Sequence, residues 1–383
     1  MAQSLECNNC GAPVKFAGGY EVTVPCQFCG NSVVVPEELR SARPAQPPVF
    51  QFKFQPIPVY TPSIPKVSKG WLWLLLIPFF FIMCTISGII LPLLPKTGPA
   101  GRRTGGEWGK PASSGPASVT LKFGSEGIGP GRFQDARSIA VDTAGRIYVG
   151  EYTGGRIQVF DASGKFINQW SIGDRKTILR GMAADRKGNI YVVKGGSIYR
   201  YDGGTSEQLD QLEYAGGWGF DDVTVTADGG ILAAWYKNRD DIVRFDAKGK
   251  AVSTIRAAIS QASGDSELNT RLAADGLGNI YALGTFNNAV FKFAPDGKYL
   301  SRFGSAGDQP GQFRAPSAIA VDGRGRVYVS DSKGIQIFDQ DGRYLDLIKK
   351  EGYTNAFGMV FNDRNELFVA ARTQVVRLSI RQP

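Results

Sequence analysis

One stretch of the sequence occurs twice, and this repetition is the strongest constraint on what the chain can fold into. Residues 121–142 read LKFGSEGIGPGRFQDARSIAVD, and residues 301–322 read SRFGSAGDQPGQFRAPSAIAVD. Eleven of the 22 aligned positions are identical. Each copy joins two strand-like segments through a glycine-rich loop, which indicates a repeated structural unit.

The unit recurs six times from residue 138 onward. Its equivalent positions are Asp142, Asp185, Thr226, Asp275, Asp322 and Asn362, which lie 43, 41, 49, 47 and 40 residues apart. Four short apolar segments separated by turn residues make up a complete unit. Periods of about 40–50 residues with four strands per unit are typical of β-propellers.

The sixth unit ends one strand early, while residues 118–124 (SVTLKFG) match an outer strand with no unit before it. We therefore predict an all-β fold in which residues 118–383 form a six-bladed propeller. Strand 118–124 is expected to complete the sixth blade. Closing the ring in this way removes the unpaired edge that an open array of blades would expose.

The repeated stretches continue as SIAVDTAGRIYVGEYTGGRIQVFDASGKF and AIAVDGRGRVYVSDSKGIQIFDQDGRYL. These segments resemble NHL repeats, and the resemblance extends over about residues 119–380. It is weaker in the third unit, where Thr226 replaces the aspartate, and in the sixth, which lacks the turn glycine. The resemblance implies a platform that binds proteins or, in some members, RNA. From residue 118 onward 34 Lys and Arg face 30 Asp and Glu, which argues against nucleic acid as the main partner.

The resemblance also leaves an enzymatic alternative, because some similar propellers are lactonases or lyases. Such lyases rely on histidines, and this chain contains no histidine as base, nucleophile or metal ligand. A membrane-tethered hydrolase or lactonase would need acidic side chains around a divalent cation at the channel mouth. The candidates are Glu151, Asp221, Asp222 and Asp331. The repeated aspartates are instead expected to accept hydrogen bonds from turn backbones.

Ligand-binding residues are expected on one rim of the propeller. The loops that lead into each blade and the loops between the second and third strands share this rim. The candidates there are Arg137, Arg180, Trp218, Trp235, Tyr236, Arg239 and Arg314. Exposed aromatic side chains beside arginine are typical of binding centres. For Trp218 and Trp235 the competing expectation is packing between blades.

The N-terminal cysteines have the spacing of a metal site. Cys7 and Cys10 form one C-x2-C motif, and Cys26 and Cys29 form another after fifteen intervening residues. This spacing predicts a zinc ion bound by four thiolates, with thiols that are unmetallated or disulfide-paired as the alternative. The motifs resemble a zinc ribbon, which we place at residues 1–35. Four protein ligands leave no position for water, so the zinc is expected to be structural.

A membrane span is predicted at residues 70–95. These 26 residues (GWLWLLLIPFFFIMCTISGIILPLLP) carry no charge, and Lys69 and Lys96 flank them. A transmembrane helix needs about 20 apolar residues, and a buried helix of a soluble protein is the alternative. A proline-rich linker at residues 36–69 precedes the span, and a Gly/Pro/Ser-rich linker at residues 96–117 follows it.

These features predict a single-pass membrane protein with a non-enzymatic binding, scaffold or sensor propeller. Its ligand is expected to be a protein or a component of the cell envelope. We expect the ribbon in the cytoplasm and the propeller outside it, because thiolates persist best in a reducing compartment. The positive charges flanking the span slightly favour the opposite orientation.

The predicted zinc site can be tested on the full-length chain. Metal analysis should give one zinc per chain, and Cys7→Ser or Cys26→Ser should abolish or strongly reduce it, because each removes one thiolate of the quartet. Cys84→Ser is the matched control, since Cys84 lies outside both motifs. Zinc that is absent from the unaltered chain, or retained in full by both variants, would contradict the prediction.

Overall fold

The structure, a computed structural model, describes residues 3–7, 13–16, 23–26, 32–39, 115–237, 239–350, 353 and 355–381. The span predicted at residues 70–95 lies outside these ranges, as does most of both linkers. In the parts of the chain that the structure does describe, no helix is long and apolar enough to cross a membrane.

The N-terminal segment contains short paired strands. They are β1 (Gln3–Glu6), β2 (Pro13–Phe16), β3 (Thr23–Pro25) and β4 (Ser32–Val34), followed by a 3-10 helix at Glu37–Leu39. β1 pairs antiparallel with β2, and β3 with β4. Cys7, Val14, Cys26 and Val33 are buried in one small core. One cysteine of each motif therefore lies in the same cluster, while Cys10 and Cys29 lie outside the described residues.

Residues 115–381 contain six four-stranded antiparallel sheets, which confirms the six-bladed propeller. The chain first forms β5 (Ala117–Phe123), β6 (Ser125–Glu126) and β7 (Arg132–Phe133). Blade one is β8 (Ala136–Val141), β9 (Ile147–Glu151), β10 (Arg156–Phe160) and β11 (Phe166–Ser171). Blade two is β12 (Leu179–Ala184), β13 (Asn189–Lys194), β14 (Ser197–Asp202) and β15 (Gln208–Gln211). Blade three is β16 (Phe220–Val225), β17 (Ile231–Trp235), β18 (Asp241–Phe245) and β19 (Ala251–Ile255).

The remaining blades follow the same plan after a short helix, α1 (Ala258–Ser263). Blade four is β20 (Thr270–Ala274), β21 (Ile280–Gly284), β22 (Ala289–Phe293) and β23 (Tyr299–Phe303). Blade five is β24 (Ala318–Val321), β25 (Val327–Ser330), β26 (Gly334–Phe338) and β27 (Tyr344–Lys349). Blade six is β28 (Gly358–Phe361), β29 (Glu366–Ala370), β30 (Val375–Ile380) and the N-terminal strand β5.

Strand β5 closes the ring, as the sequence predicts. It pairs antiparallel with β30, with Phe123 opposite Val375 and Ala117 opposite Ile380. The ring of Phe123 also packs against Phe160 of blade one, with the two ring centroids 4.7 Å apart. β5 therefore completes one blade and contributes to the core of the next.

The repeated aspartates organise the turn after the first strand of each blade. In blade one a carboxylate oxygen of Asp142 accepts the backbone N–H of Arg146 at 2.9 Å, and the other lies 3.0 Å from the Tyr148 hydroxyl. The same aspartate-to-tyrosine contact occurs in blades two, four and five, at Asp185–Tyr191, Asp275–Tyr281 and Asp322–Tyr328. Burial and the charge of Asp185 together raise the pKa of Tyr191 to about 12. The tyrosines are therefore neutral, and the structural role expected of the aspartates is confirmed.

The two divergent blades keep this turn with different residues. In blade three the Thr226 hydroxyl donates to the carbonyl oxygen of Gly230 at 2.9 Å. In blade six Asn365 takes the place of the turn glycine with a φ of 60°, a left-handed conformation that asparagine tolerates better than most residues. The Asn365 side chain also accepts the backbone N–H of Gly323 in blade five at 2.8 Å. The sixth turn thus helps to hold two blades together.

The repeated stretch, at residues 121–142 and again at 301–322, contains a loop that is hydrogen-bonded to the blade that follows it. Phe133 is buried over Gly124, where an added Cβ would lie 2.6 Å from the phenylalanine ring. The buried side chain of Gln158 accepts the N–H of Gly131 at 2.8 Å and donates to the carbonyl oxygen of Arg132 at 2.7 Å. The second copy repeats these contacts with Gly304, Phe313, Gly311, Gln312 and Gln336. The conformation of the loop explains why glycine and phenylalanine recur at these positions.

The outermost strand of every blade contains a β-bulge, which in blades one to five lies just after the turn that precedes the strand. In blades one to five the extra residue is an exposed aliphatic one: Ile167, Leu209, Val252, Leu300 and Leu345. A bulge twists the edge of a sheet and discourages pairing with another chain. The outer edges are therefore protected by backbone geometry although these side chains are apolar.

Ring closure can be tested by deleting residues 118–123 from the full-length chain. Blade six would lose its outer strand and expose the apolar side chains that Phe123 covers, so the propeller should aggregate or melt at least about 10 °C lower. Thermal unfolding followed by circular dichroism measures this change. A deletion of residues 104–109 in the preceding linker is the control. Equal melting temperatures of the two deletion variants would contradict closure.

Candidate functional site

The first strands of the six blades enclose a central cavity of about 470 Å³. We call the end formed by the loops that lead into the blades, together with the loops between second and third strands, the upper rim. The opposite end, formed by the aspartate turns, is the lower rim. Three arginines line the cavity near the upper rim: Arg137, Arg180 and Arg271.

Arg137 is held between aromatic rings at the mouth of the cavity. Its guanidinium carbon lies 4.2 Å from the ring centroid of Tyr152 and 5.1 Å from that of Phe357. It forms a salt bridge of 2.8 Å with Asp135, which also lies 3.3 Å from the Nε of Arg372 in blade six. The cluster links blade one to blade six and fixes the arginine in one orientation.

The centre of the upper rim is a group of two arginines and two aspartates. Arg180 of blade two donates to Asp221 of blade three at 2.9 Å. Arg271 of blade four donates through Nη1 to the carbonyl oxygens of Arg180 and Asp221, at 3.2 and 3.3 Å. Asp222 accepts the backbone N–H of Leu272 at 2.9 Å and lies 3.9 Å from Arg271. Three blades therefore meet through these side chains.

Burial of this group shifts the protonation of its carboxyls. Burial raises the pKa of Asp221 to about 6, because its effect is larger than the opposing effect of the charges of Arg180 and Arg271. Burial also raises the pKa of Asp222. Because the folded-state pKa of Asp221 exceeds its ordinary value of 3.8, its contribution to stability is complete below about pH 4. That contribution is lost as the pH rises through about 6.

The two tryptophans of the predicted rim have different environments. Trp235 is buried, with 6% of its surface exposed, and its indole N–H donates to the carbonyl oxygen of Trp218 at 3.1 Å. Packing is therefore confirmed for Trp235, which supports the rim from beneath. Trp218 is 53% exposed, and the Lys237 ammonium lies 4.4 Å from its ring centroid, so the expectation of packing is wrong for this residue. Tyr236 is partly buried beside Arg180, 5.6 Å from its guanidinium.

The other candidates lie on the same rim but are separate from the central group. Arg239 is exposed, and Arg314 forms a salt bridge with Asp308. Glu151 accepts the N–H of Gln134 at 2.7 Å and the Nε of Arg156 at 2.5 Å.

Asp331 is occupied in a similar way, since it accepts the N–H of Lys333 at 2.8 Å and the side-chain amide of Gln336 at 2.9 Å. Of the four carboxylates proposed for a cation, only Asp222 lines the cavity. Within the described residues no group of three or more His, Cys, Asp or Glu side chains is placed to hold a metal ion.

Sequence reasoning missed the apolar part of the rim at blade four. Leu268 and Phe286 are exposed by 59% and 62%. Buried Glu267 holds both loops, accepting the N–H groups of Leu268, Phe286 and Asn287 at 3.0 to 3.3 Å. A lone glutamate between Ser266 and Leu268 gives little signal of this role in the sequence.

Comparisons with known proteins agree with the NHL resemblance. No protein-family model matches the chain. A stretch of 119 residues, 28% of the chain, is 29% identical to NHL repeat-containing protein 3 of Homo sapiens and of Mus musculus. The match covers 33% of each of these proteins, so the chain spans about a third of the length of the curated relatives it matches. A stretch of 48 residues, 12% of the chain, is 44% identical to B-box type zinc finger protein ncl-1 of Caenorhabditis elegans and covers 6% of it.

A solved structure supports the fold alone. A gluconolactonase from Xanthomonas campestris superposes on 69% of this chain and 99% of its own, with a TM-score of 0.51 and 18% identity. At this identity the likeness concerns the path of the backbone. The chain is therefore an all-β six-bladed propeller with sequence similarity to an NHL repeat-containing protein.

Proposed function

We propose that the propeller is a non-enzymatic binding module whose protein or cell-envelope ligand docks on the upper rim, centred on blades three and four. The observation that carries this proposal is the set of exposed side chains Trp218, Leu268 and Phe286 beside the arginine-lined mouth. Aromatic and arginine side chains dominate the energetic centres of interfaces.

The rim is held rigid before a ligand binds, which reduces the entropy lost on association. Asp240 accepts the N–H groups of Ile259 and Ser260, at 2.5 and 2.7 Å, and so fixes α1 against the neighbouring loop. Glu267 fixes the two loops that carry Leu268 and Phe286. These two buried carboxylates thus hold the backbone of the rim loops in a fixed conformation.

The alternative, a hydrolase or lactonase with a divalent cation, has less support. The oxygens of Glu151 and Asp331 accept hydrogen bonds from their own blades, and Asp221 is paired with Arg180. A cation would have to displace these partners. The gluconolactonase shares the fold but not enough sequence to transfer its activity to this chain.

The same proposal includes the membrane anchor and the ribbon. Residues 70–95 anchor the chain in a single span, the zinc ribbon of residues 1–35 lies in the cytoplasm, and the propeller lies outside it. The burial of Cys7 and Cys26 in one core supports a shared metal, since a four-thiolate site needs one cysteine pair from each motif. The zinc would stabilise a segment whose core is too small to fold securely without it.

Site-directed photo-crosslinking in cells tests the binding surface. A photo-reactive amino acid at Phe286 or Trp218 should give a discrete adduct of higher mass, because these side chains are exposed at the centre of the proposed surface. The matched control is the same amino acid at Ile167, which is exposed to a similar extent on an outer strand. Adducts of equal yield from all three positions, or from Ile167 alone, would refute docking on the upper rim.

Protease protection in sealed, right-side-out vesicles tests the anchor and its orientation. The propeller should be digested and the N-terminal ribbon protected, because the bilayer shields the cytoplasmic side. The same digestion after detergent treatment is the control and should expose the ribbon. A protected propeller would reverse the orientation, and a chain that does not sediment with the vesicles would refute the anchor.

A further inference from the structure

The mouth of the cavity carries more basic than acidic groups. Arg137, Arg180 and Arg271 come from the first strands of blades one, two and four, and all three line the cavity. Together with Arg372 they make four arginines against three aspartates, which are Asp135, Asp221 and Asp222. The group therefore carries about one uncompensated positive charge with all carboxyls ionised.

The lower end of the same cavity is lined mainly by aspartates. Its lining residues there include one arginine, Arg186, and six aspartates: Asp142, Asp185, Asp228, Asp275, Asp322 and Asp363. Three of these aspartates form salt bridges, Asp142 with Arg146, Asp228 with Arg244 and Asp322 with Arg326. The arginines that line the cavity therefore lie mainly at its upper end, where they attract an anion.

Arg271 is only partly satisfied by hydrogen bonds within the chain. Its Nη1 donates to two backbone carbonyl oxygens, whereas its Nε is buried with no hydrogen-bond partner among the described residues. A guanidinium offers five N–H donors in a planar fork that matches a carboxylate. The Arg271 side chain is 21% exposed, so part of it remains accessible to an acceptor at the mouth.

We propose that the mouth binds the carboxylate of an acidic side chain presented by a protein ligand, with Arg180 and Arg271 as its donors. The inference rests on the proposed function of the upper rim and names the chemistry recognised there. Arg137, held between Tyr152 and Phe357, also lines the mouth. A carboxylate fits better than a phosphate dianion, because about one positive charge is uncompensated.

A protein is a better source of this carboxylate than a small acid. Trp218, Leu268 and Phe286 extend the apolar surface beyond the cavity, over the loops of blades three and four. A ligand confined to about 470 Å³ would leave these side chains exposed. An acidic side chain in the mouth would be the anchor of such a complex, and apolar contacts on the surrounding rim would form the interface around it.

The test uses the full-length protein and two labelled, end-blocked peptides of glycine and serine with two glutamates or two glutamines. Fluorescence anisotropy at low salt should show at least tenfold tighter binding of the glutamate peptide. Arg180→Gln and Arg271→Gln should each weaken that binding about tenfold or more, and Arg271→Lys should weaken it less. Arg343→Gln is the matched control, because Arg343 is an exposed arginine at the lower rim.

Equal binding of the two peptides to the unaltered protein would overturn the inference, even if an arginine variant failed to fold. An equal loss in Arg343→Gln and Arg271→Gln would also overturn it, since it would indicate unspecific attraction. Galacturonate, a sugar acid, serves as a small-molecule probe in the same assay. If it binds while the glutamate peptide does not, the proposal that a protein supplies the carboxylate is refuted. If the peptides are not distinguished but Phe286 still yields its photo-adduct, only this inference fails and the proposed function stands.

Discussion

The pairing of β5 with β30 is the constraint on which the rest of the propeller depends. It joins residues 257 positions apart, as in the hydrogen bond from Thr120 to Arg377, so the sixth blade forms only when the whole ring is in place. The same strand carries Phe123 into the core of blade one. Burial of that core offsets the entropy lost when so long a loop is closed.

The closed ring divides the molecule into a regular and a variable end. At the lower rim four blades repeat one aspartate–tyrosine contact, and the two divergent blades keep the turn with threonine or asparagine. At the upper rim each blade carries different side chains. A scaffold that repeats its structural contacts at one end can vary the other without loss of fold, and such loops are where binding surfaces form.

The positive and negative charges at the mouth are only partly balanced. Asp221 relieves the charge of Arg180, while burial raises the pKa of Asp221 and weakens that relief as the pH falls. Arg271 depends on two backbone carbonyl oxygens. A buried donor without a partner, such as the Nε of Arg271, costs free energy in the folded state.

The repeat pattern of the sequence is enough to predict the number of blades, the closing strand and the role of the aspartate turns, because these follow from a period and from local turn chemistry. It could not separate buried Trp235 from exposed Trp218, since both occur in loop-flanked apolar stretches. Only the tertiary structure brought Arg271 to the mouth. Arg137 and Arg180 precede their aspartates by five residues and Arg271 by four, and bulges in β8 and β12, absent from β20, absorb the difference. A bulge shifts which residues face the channel, and it is a property of paired strands rather than of the spacing along one chain.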